Sequence, residues 1–169
     1  MIINGVFPPI PTPFSNDTVD VVAMGSNVDR WMRTGLRGVV VLGSNGEAPF
    51  LNEFDSDAAV AAARERVPSD RLCIAGVGRE STIETIRATK RAADLGVDAV
   101  LARTPSFFKT LLTPESFVSH YRAVADASPV PVLLYNFTAV TGVTLPVDIV
   151  TTLAAHPNIV GIKESGSDL

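Results

Sequence analysis

The segment Ile159-Val160-Gly161-Ile162-Lys163-Glu164-Ser165 ends an apolar, β-branched run with a single cation. A run of this length and composition is typical of a strand that is buried in a sheet. Parallel α/β barrels place their chemistry at the carboxyl ends of such strands, because the loops at that end surround one cavity. The segment therefore predicts an α/β fold and makes Lys163 the first candidate for a functional residue.

Similar apolar runs recur along the chain at intervals of 27 to 33 residues. This spacing is too long for hairpins and matches a strand, a helix and a return, which is the repeat of a βα unit. We therefore predict six strands with helices between them. The strands are expected to begin near Val6, Val39, Leu72, Ala99, Val130–Val132 and Ile159, and helix-capping signals stand at Asn52, Ser81 and Thr113.

Two architectures are built from successive βα units, the doubly wound open sheet and the (βα)₈ barrel. No G-x-G-x-x-G follows the first predicted strand, which argues against a dinucleotide-binding open sheet. A complete barrel needs about 250 residues. We expect residues 1–169 to form one incomplete TIM-barrel domain with about the first six βα units. Unpaired outer strands would then leave Val6, Ile10 and Ile159 short of packing partners. We therefore expect that the 169 residues alone are not a stable, active monomer.

Composition narrows the functional class. The 14 basic and 18 acidic side chains give a net charge of −4, which argues against nucleic-acid binding. No apolar run is long enough for a membrane span. The lone Cys73 has no internal disulfide partner, and the start lacks the features of a signal or transit peptide. A cytoplasmic protein is expected, with a mitochondrial location left open. His120 and His156 lie too far apart in sequence for a short metal-ligand motif, so no metal is expected.

Three polar features follow predicted strands. Gly43-Ser44-Asn45-Gly46-Glu47 is a glycine-bracketed turn whose backbone N–H groups could hold a carboxylate, or an ordinary turn before a capped helix. Tyr135 could carry a proton at the strand end, or be a core tyrosine with its hydroxyl bonded at the rim. Lys163 could attack a ketone and form a Schiff base, or reach solvent or pair with Glu164. In a closed barrel the three strand ends would converge on one cavity.

Five ordered motifs resemble the dihydrodipicolinate synthase/N-acetylneuraminate lyase family of class I, pyruvate-handling (βα)₈ aldolases. They are Gly5-Val6-Phe7 with Thr12-Pro13-Phe14, Gly43–Glu47, Thr104-Pro105, Tyr135-Asn136 with Thr141-Gly142, and Gly161–Ser165. The resemblance covers essentially all 169 residues. Gly43–Phe50 together with His156–Gly161 is most similar to the 4-hydroxy-2-oxoglutarate aldolase branch.

The resemblance implies a role for each candidate. Lys163 would be the Schiff-base lysine, so that no external cofactor is needed, and Tyr135 would be the proton-transfer tyrosine. Ser44 would supply the relay hydroxyl, and the backbone of Ser44, Asn45 and Gly46 would bind the carboxylate of the substrate.

The chain departs from the family pattern in three places. Phe107 stands where the synthases have a relay tyrosine that is usually donated to a neighbouring subunit, and phenylalanine cannot pass a proton. Val140 stands where the synthases carry an arginine that binds the carboxylate of the aldehyde substrate. Thr138 replaces the usual proline.

Two hypotheses from different classes follow. The first is a lyase that cleaves a 4-hydroxy-2-oxoacid to pyruvate or glyoxylate-type products, with dihydrodipicolinate synthase or 2-keto-3-deoxy sugar acid aldolase as further alternatives. The second is a truncated or degenerate relative without turnover, which binds oxoacids or partner subunits. The resemblance implies a small 2-oxoacid substrate such as pyruvate and a homo-oligomer, either a dimer or a tetramer.

Overall fold

The computed structural model describes residues 3–166, which fall into two compact units. The first unit comprises Met1–Gly76 and Arg91–Ala99, and the second comprises Val77–Lys90 and Val100–Leu169. The expectation of one domain stays a prediction.

The first unit contains strands β1 (Phe14–Ser15), β2 (Thr18–Val19), β3 (Gly38–Val41) and β4 (Leu72–Gly76), with helices α1 (Val21–Met32) and α2 (Glu53–Arg66). Strands β3 and β4 pair in parallel, from Gly38 opposite Leu72 to Val41 opposite Ala75. Every residue of β3 is buried, as expected for a strand in a sheet covered on both faces.

The second unit contains strands β6 (Val132–Asn136) and β7 (Ile159–Glu164), with helices α4 (Pro114–Ala127), α5 (Thr138–Thr141) and α6 (Val147–Ala154). Helix α3 (Thr82–Asp94) and strand β5 (Ala99–Arg103) cross the division between the units. In the second unit, β5, β6 and β7 pair in parallel in the order of the chain. Within each unit the strand order has no reversal point, which distinguishes it from doubly wound sheets.

The predicted helix starts at Asn52 and Thr113 are confirmed by side-chain caps, and α3 begins at Thr82, directly after Ser81. The side chain of Asn52 accepts a hydrogen bond from the Asp55 N–H (2.9 Å), and α2 begins at the next residue. Thr113 and Ser116 form a reciprocal capping box at the start of α4. Each cap satisfies amide groups that the first helical turn leaves without an intrahelical partner.

The strand predicted near Val6 is wrong. Val6 is 65% exposed, and the following segment forms only an isolated parallel bridge between Pro9 and Val40. The N–H of Ile10 donates to the Val40 carbonyl (3.0 Å), and the Val40 N–H donates to the Pro8 carbonyl (2.9 Å). Pro8, Pro9 and Pro11 have no N–H to give, so a regular ladder cannot extend along this segment.

Two further expectations differ from the structure. Only parallel strands were predicted, yet β1 and β2 form an antiparallel hairpin with a two-residue turn at Asn16 and Asp17. Both turn residues have positive φ (49° and 61°), which suits the turn of a tight hairpin and which Asn and Asp tolerate better than most residues. Ile10 (1% exposed) and Ile159 (7%) are buried, although we expected them to lack packing partners.

Cys73 lies in β4 and is fully buried. Burial raises the pKa of its thiol to about 12. The thiol therefore stays protonated and unreactive, as expected for a cysteine that fills space in a core. No helix in residues 3–166 is long and apolar enough to cross a membrane.

Candidate active site

Lys163 and Tyr135 lie side by side at the carboxyl ends of β7 and β6. They are register partners in the parallel pair, so their side chains leave the sheet on the same face. The Lys163 Nζ atom lies 4.3 Å from the centre of the Tyr135 ring. Tyr135 is 5% exposed and Lys163 is half-buried. The amine thus sits at the rim of the sheet against an aromatic wall.

A β-bulge sets this register. Val132 pairs with Ile159, but the next residue of β6, Leu133, pairs with Gly161, so Val160 is the extra residue of β7. Without the bulge, Ile162 would stand opposite Tyr135. Because side chains alternate between the two faces of a strand, a slip of one residue would move the lysine away from the tyrosine.

Gly161 provides space beneath Lys163. A Cβ atom added at Gly161 would lie 3.1 Å from Cδ2 of Leu133, the residue paired with it on β6. That distance is tighter than ordinary van der Waals contact. A glycine here lets Leu133 pack closely below the Lys163–Tyr135 pair.

Asn136 ties the two strand ends together on the opposite face. Its Nδ2 donates to Oε2 of Glu164 (2.7 Å), and its Oδ1 accepts from the Leu145 N–H (3.0 Å). The Asn136 carbonyl also accepts from the Ser165 N–H (3.0 Å). Glu164 is therefore engaged by Asn136, rather than serving as the partner that we considered for Lys163. The sequence motifs include Asn136 and Glu164, but the sequence alone did not assign this bridging role to either residue.

The Gly43–Glu47 turn lies in the first unit, after β3. Leu42 has a left-handed conformation (φ 56°), and Ser44–Gly46 form a single turn of 3₁₀ helix. The Gly46 N–H donates to the Gly43 carbonyl (3.0 Å), and the Glu47 N–H donates to the Ser44 carbonyl (3.1 Å). Positive φ at a non-glycine residue is costly and tends to persist where the structure requires a particular backbone direction.

Thr12 holds this turn in place. Its Oγ1 donates a 2.7 Å hydrogen bond to the carbonyl of Gly46, and both residues are buried. Sequence reasoning missed this contact, although it singled out Thr12-Pro13-Phe14 as a motif. The predicted grouping of Ser44, Asn45 and Gly46 with Lys163 and Tyr135 stays a prediction, since the turn belongs to the first unit and the two side chains to the second.

Glu80 organises the loop that carries Phe107. Its Oε2 accepts from the N–H groups of Ser106 (2.7 Å) and Phe107 (2.8 Å), while its Oε1 pairs with Nη1 of Arg103 (2.8 Å). Partial burial by itself raises the pKa of Glu80, but the Phe107 and Ser106 amides and Arg103 together bring it below the usual value. Glu80 and Arg103 belong to none of the sequence motifs, so the sequence did not single them out as functional residues.

Phe107 is 77% exposed and touches Phe108 edge to face, with ring centres 4.9 Å apart. The side chain of Phe107 has no hydroxyl, so it offers no proton-carrying group at this position.

His120 is buried in α4. Its Nδ1 lies 2.9 Å from Oγ1 of Thr82, and its Nε2 has no hydrogen-bond partner among the described residues. Burial lowers the pKa of His120 to about 4, with Glu80 opposing that shift and Arg103 adding to it. His120 is therefore neutral at pH 7. No cluster of three or more His, Cys, Asp or Glu side chains within residues 3–166 could hold a metal ion.

Comparisons with known proteins agree on one family. The model of the dihydrodipicolinate synthetase family matches residues 2–169. The protein of Emericella nidulans named probable 4-hydroxy-2-oxoglutarate aldolase, mitochondrial, is 40% identical over 168 residues, which is 96% of this chain and 54% of the relative.

Solved structures match with nearly complete coverage of the chain. The 4-hydroxy-tetrahydrodipicolinate synthase of Methylacidiphilum fumariolicum has a TM-score of 0.94 at 34% identity and covers 99% of this chain. The chloride-inhibited dihydrodipicolinate synthase of Acinetobacter baumannii, complexed with pyruvate, has a TM-score of 0.92 at 37% identity. The chain spans 55% and 57% of these two proteins. The predicted fold, a (βα)₈ barrel represented by part of its βα units, is confirmed.

Proposed function

The chain belongs to the dihydrodipicolinate synthetase family, and from that premise we propose that it is a class I aldolase region in which Lys163 forms a Schiff base with a 2-oxoacid. The observation that carries the proposal is the Lys163–Tyr135 pair, with Nζ 4.3 Å from the ring centre at adjacent strand ends. A nucleophilic amine beside a phenol is the pairing that imine chemistry with proton transfer requires. No external cofactor is needed, since the iminium is the electron sink.

The proposed reaction uses Lys163 and Tyr135 in the following steps. The Lys163 amine adds to the C2 carbonyl of a 4-hydroxy-2-oxoacid, and loss of water gives a protonated imine. The C3–C4 bond then breaks, its electrons move to the iminium nitrogen, and the C4 hydroxyl gives up its proton as the aldehyde leaves. The enamine takes a proton at C3, and water hydrolyses the imine to release pyruvate. Tyr135 is proposed to carry the proton to and from the C4 oxygen.

We propose 4-hydroxy-2-oxoglutarate as the substrate, with glyoxylate and pyruvate as products. The 40% identity to the Emericella nidulans relative supports it, and relatives named as synthases reach 39% identity. Val140 stands where the synthases' carboxylate-binding arginine is expected, which counts against the synthase reaction without itself selecting another substrate. The names of the two structural neighbours keep the synthase reaction as the alternative. A homo-oligomer is proposed, and the exposed, apolar Phe107, Phe108 and Leu111 offer a surface for it.

Borohydride trapping with pyruvate tests the proposal. The chain has three lysines, Lys90, Lys109 and Lys163, so peptide mapping of the reduced adduct is unambiguous. The adduct is expected on Lys163, to be absent from Lys163→Ala, and to persist in the matched variants Lys90→Ala and Lys109→Ala. An adduct on another lysine would overturn the assignment.

A non-catalytic relative is the second candidate function, and Phe107 is the observation that favours it. With no hydroxyl at this position, the proton path would be shortened or filled by water. Retro-aldol turnover of 4-hydroxy-2-oxoglutarate separates the two candidates. An adduct with turnover supports the enzyme, and an adduct without turnover supports an oxoacid-binding relative.

A further inference from the structure

Three residues from neighbouring strands form a row beside the proposed Schiff-base lysine. Arg103 of β5 is the register partner of Tyr135 of β6, and Tyr135 is the register partner of Lys163 of β7. Neighbouring strands lie about 4.8 Å apart, so the Arg103 and Lys163 backbones are about 10 Å apart across the tyrosine. Two long cationic side chains thus begin on the same face, one on each side of the Tyr135 ring.

The neighbours of Arg103 define the course of its side chain. A Cβ atom added at Gly78 would lie 2.5 Å from Cγ of Arg103, so a larger residue at Gly78 would displace the arginine. The Nη1 atom of Arg103 donates to Glu80 (2.8 Å) and to the Thr104 carbonyl (3.1 Å). The side chain is 23% exposed, so the guanidinium is shielded from solvent without being enclosed.

This guanidinium can donate more hydrogen bonds than it makes to the described residues. Within residues 3–166, Glu80 and the Thr104 carbonyl both accept from Nη1, and a guanidinium carries five N–H donors in a planar fork. That fork matches the geometry of a carboxylate, which it binds with two parallel hydrogen bonds.

A dianionic substrate needs such a group. Once C2 of 4-hydroxy-2-oxoglutarate is bonded to Lys163, the distal carboxylate begins three bonds further along the chain, and a buried or half-buried carboxylate needs a cationic partner. Val140 cannot supply it. Lys109 is another cation to consider, and its Nζ lies 3.2 Å from the position of a Cβ at Gly142, on an exposed 3₁₀ turn.

We propose that Arg103 is a specificity-determining residue that binds the distal carboxylate of a dianionic 2-oxoacid held on Lys163. The inference rests on the proposed function and deepens it, because it assigns the second charge of the substrate to a named side chain. Glu80 holds the guanidinium at one edge and leaves its other donors to the ligand.

The test uses trapping, so it does not depend on turnover. Borohydride reduction is run with 2-oxoglutarate, which carries the distal carboxylate, and with 2-oxopentanoate, which has a methyl group in its place. The half-saturating concentration for each is read by intact mass. The wild type is expected to favour 2-oxoglutarate, and Arg103→Gln is expected to lose roughly 10- to 150-fold of that preference, the value of a hydrogen bond to a charged group. Arg103→Lys should restore part of it.

Glu80→Gln separates recognition from loop positioning. The amide oxygen can still accept from the Ser106 and Phe107 N–H groups, while the amide nitrogen, which is a donor, replaces the oxygen that accepts from Arg103. The guanidinium is then released from Glu80, and its charge is no longer offset. This variant is expected to raise the preference for 2-oxoglutarate a few-fold, a change opposite in sign to that in Arg103→Gln. Arg87→Gln removes a cation from an exposed α3 ion pair with Glu84 and should leave the preference unchanged.

Several results would overturn the inference. An equal loss for both oxoacids in Arg103→Gln would mean that Arg103 only supports the loop. A preference that is unchanged in Arg103→Gln but lost in Lys109→Ala would assign the role to Lys109. Trapping of pyruvate, which has no distal carboxylate, should be unaffected by Arg103→Gln. An absence of pyruvate adduct in the wild type would instead refute the proposed function itself.

Discussion

Lys163 stands directly opposite Tyr135 across the β6–β7 pair, with its Nζ 4.3 Å from the centre of the aromatic ring. An ammonium over a ring face is attracted by the ring quadrupole. In the proposed mechanism the neutral amine would attack a carbonyl from this same position.

Lys163→Arg is expected to separate the packing of this pair from its chemistry. Arginine keeps a cation over the Tyr135 ring but cannot form the imine, so pyruvate trapping should vanish while the free energy of unfolding stays near the wild-type value. Lys163→Ala should lose trapping and also about 0.5–1 kcal/mol of stability, the value of an exposed cation–π contact. Urea unfolding and intact mass measure the two effects. A trapped adduct in Lys163→Arg would contradict the assignment.

Tyr135→Phe removes the hydroxyl and keeps the ring beneath the lysine. We expect turnover of 4-hydroxy-2-oxoglutarate to fall roughly 100- to 10,000-fold, the usual contribution of a positioned proton carrier, while pyruvate trapping persists. Tyr121, the other tyrosine of the chain, is fully buried with its hydroxyl 3.5 Å from the Ala102 carbonyl. Tyr121→Phe is the matched control and should leave turnover within about twofold. Turnover at the wild-type rate in Tyr135→Phe would show that the Tyr135 hydroxyl does not carry the proton.

Asn136→Ala is expected to be the most destabilising single change at the strand ends. It leaves the Leu145 N–H without its side-chain acceptor and releases Glu164, which should lower the free energy of unfolding by about 1–3 kcal/mol. Glu164→Ala removes only the exposed partner and should cost less. Chemical denaturation measures the free energy of unfolding of both variants. An equal or larger loss of stability in Glu164→Ala would show that the hydrogen bond from the Leu145 N–H to Asn136 adds little to stability.

Thr12→Val tests the support of the Gly43–Glu47 turn. The substitution nearly conserves volume and leaves the Gly46 carbonyl without its 2.7 Å donor, so we expect a loss of about 1 kcal/mol in stability. If the turn binds the carboxylate of the oxoacid, the pyruvate concentration needed for half-maximal trapping should also rise. Thr12→Ser keeps the hydroxyl and should behave like the wild type in the trapping assay. If both variants need the same pyruvate concentration for half-maximal trapping, the turn does not bind the substrate.

His120 should make the protein acid-sensitive. Its pKa is about 4 in the folded state, lowered mainly by burial, and about 6.5 in an unfolded chain. The stability linked to the neutral imidazole is therefore fully present above pH ~6.5 and is lost as the pH falls toward ~4, with a total of about 3 kcal/mol. Urea unfolding between pH 7 and pH 4 measures the loss. His120→Asn should flatten this dependence, and an unchanged slope would assign the acid sensitivity to other groups.

The sequence by itself determined the βα repeat, most strand and helix starts, and the identity of the lysine and tyrosine at the strand ends. These features depend on local physics, because apolar periodicity, capping residues such as Asn52 and Thr113, and proline positions act within a few residues. The family resemblance rests on the same residues, and the comparisons agree with it. The strand expected near Val6 does not form, because Pro8, Pro9 and Pro11 lack the N–H groups that a regular ladder needs.

Only the tertiary structure decided which residues meet. The bulge at Val160 brings Lys163 opposite Tyr135, and strand pairing brings Arg103 to the other side of the same ring. The Thr12–Gly46 bond spans 34 positions, and the Glu80–Phe107 bond spans 27. Register and long-range hydrogen bonds arise from the simultaneous packing of distant segments, and no local pattern of residues carries that information.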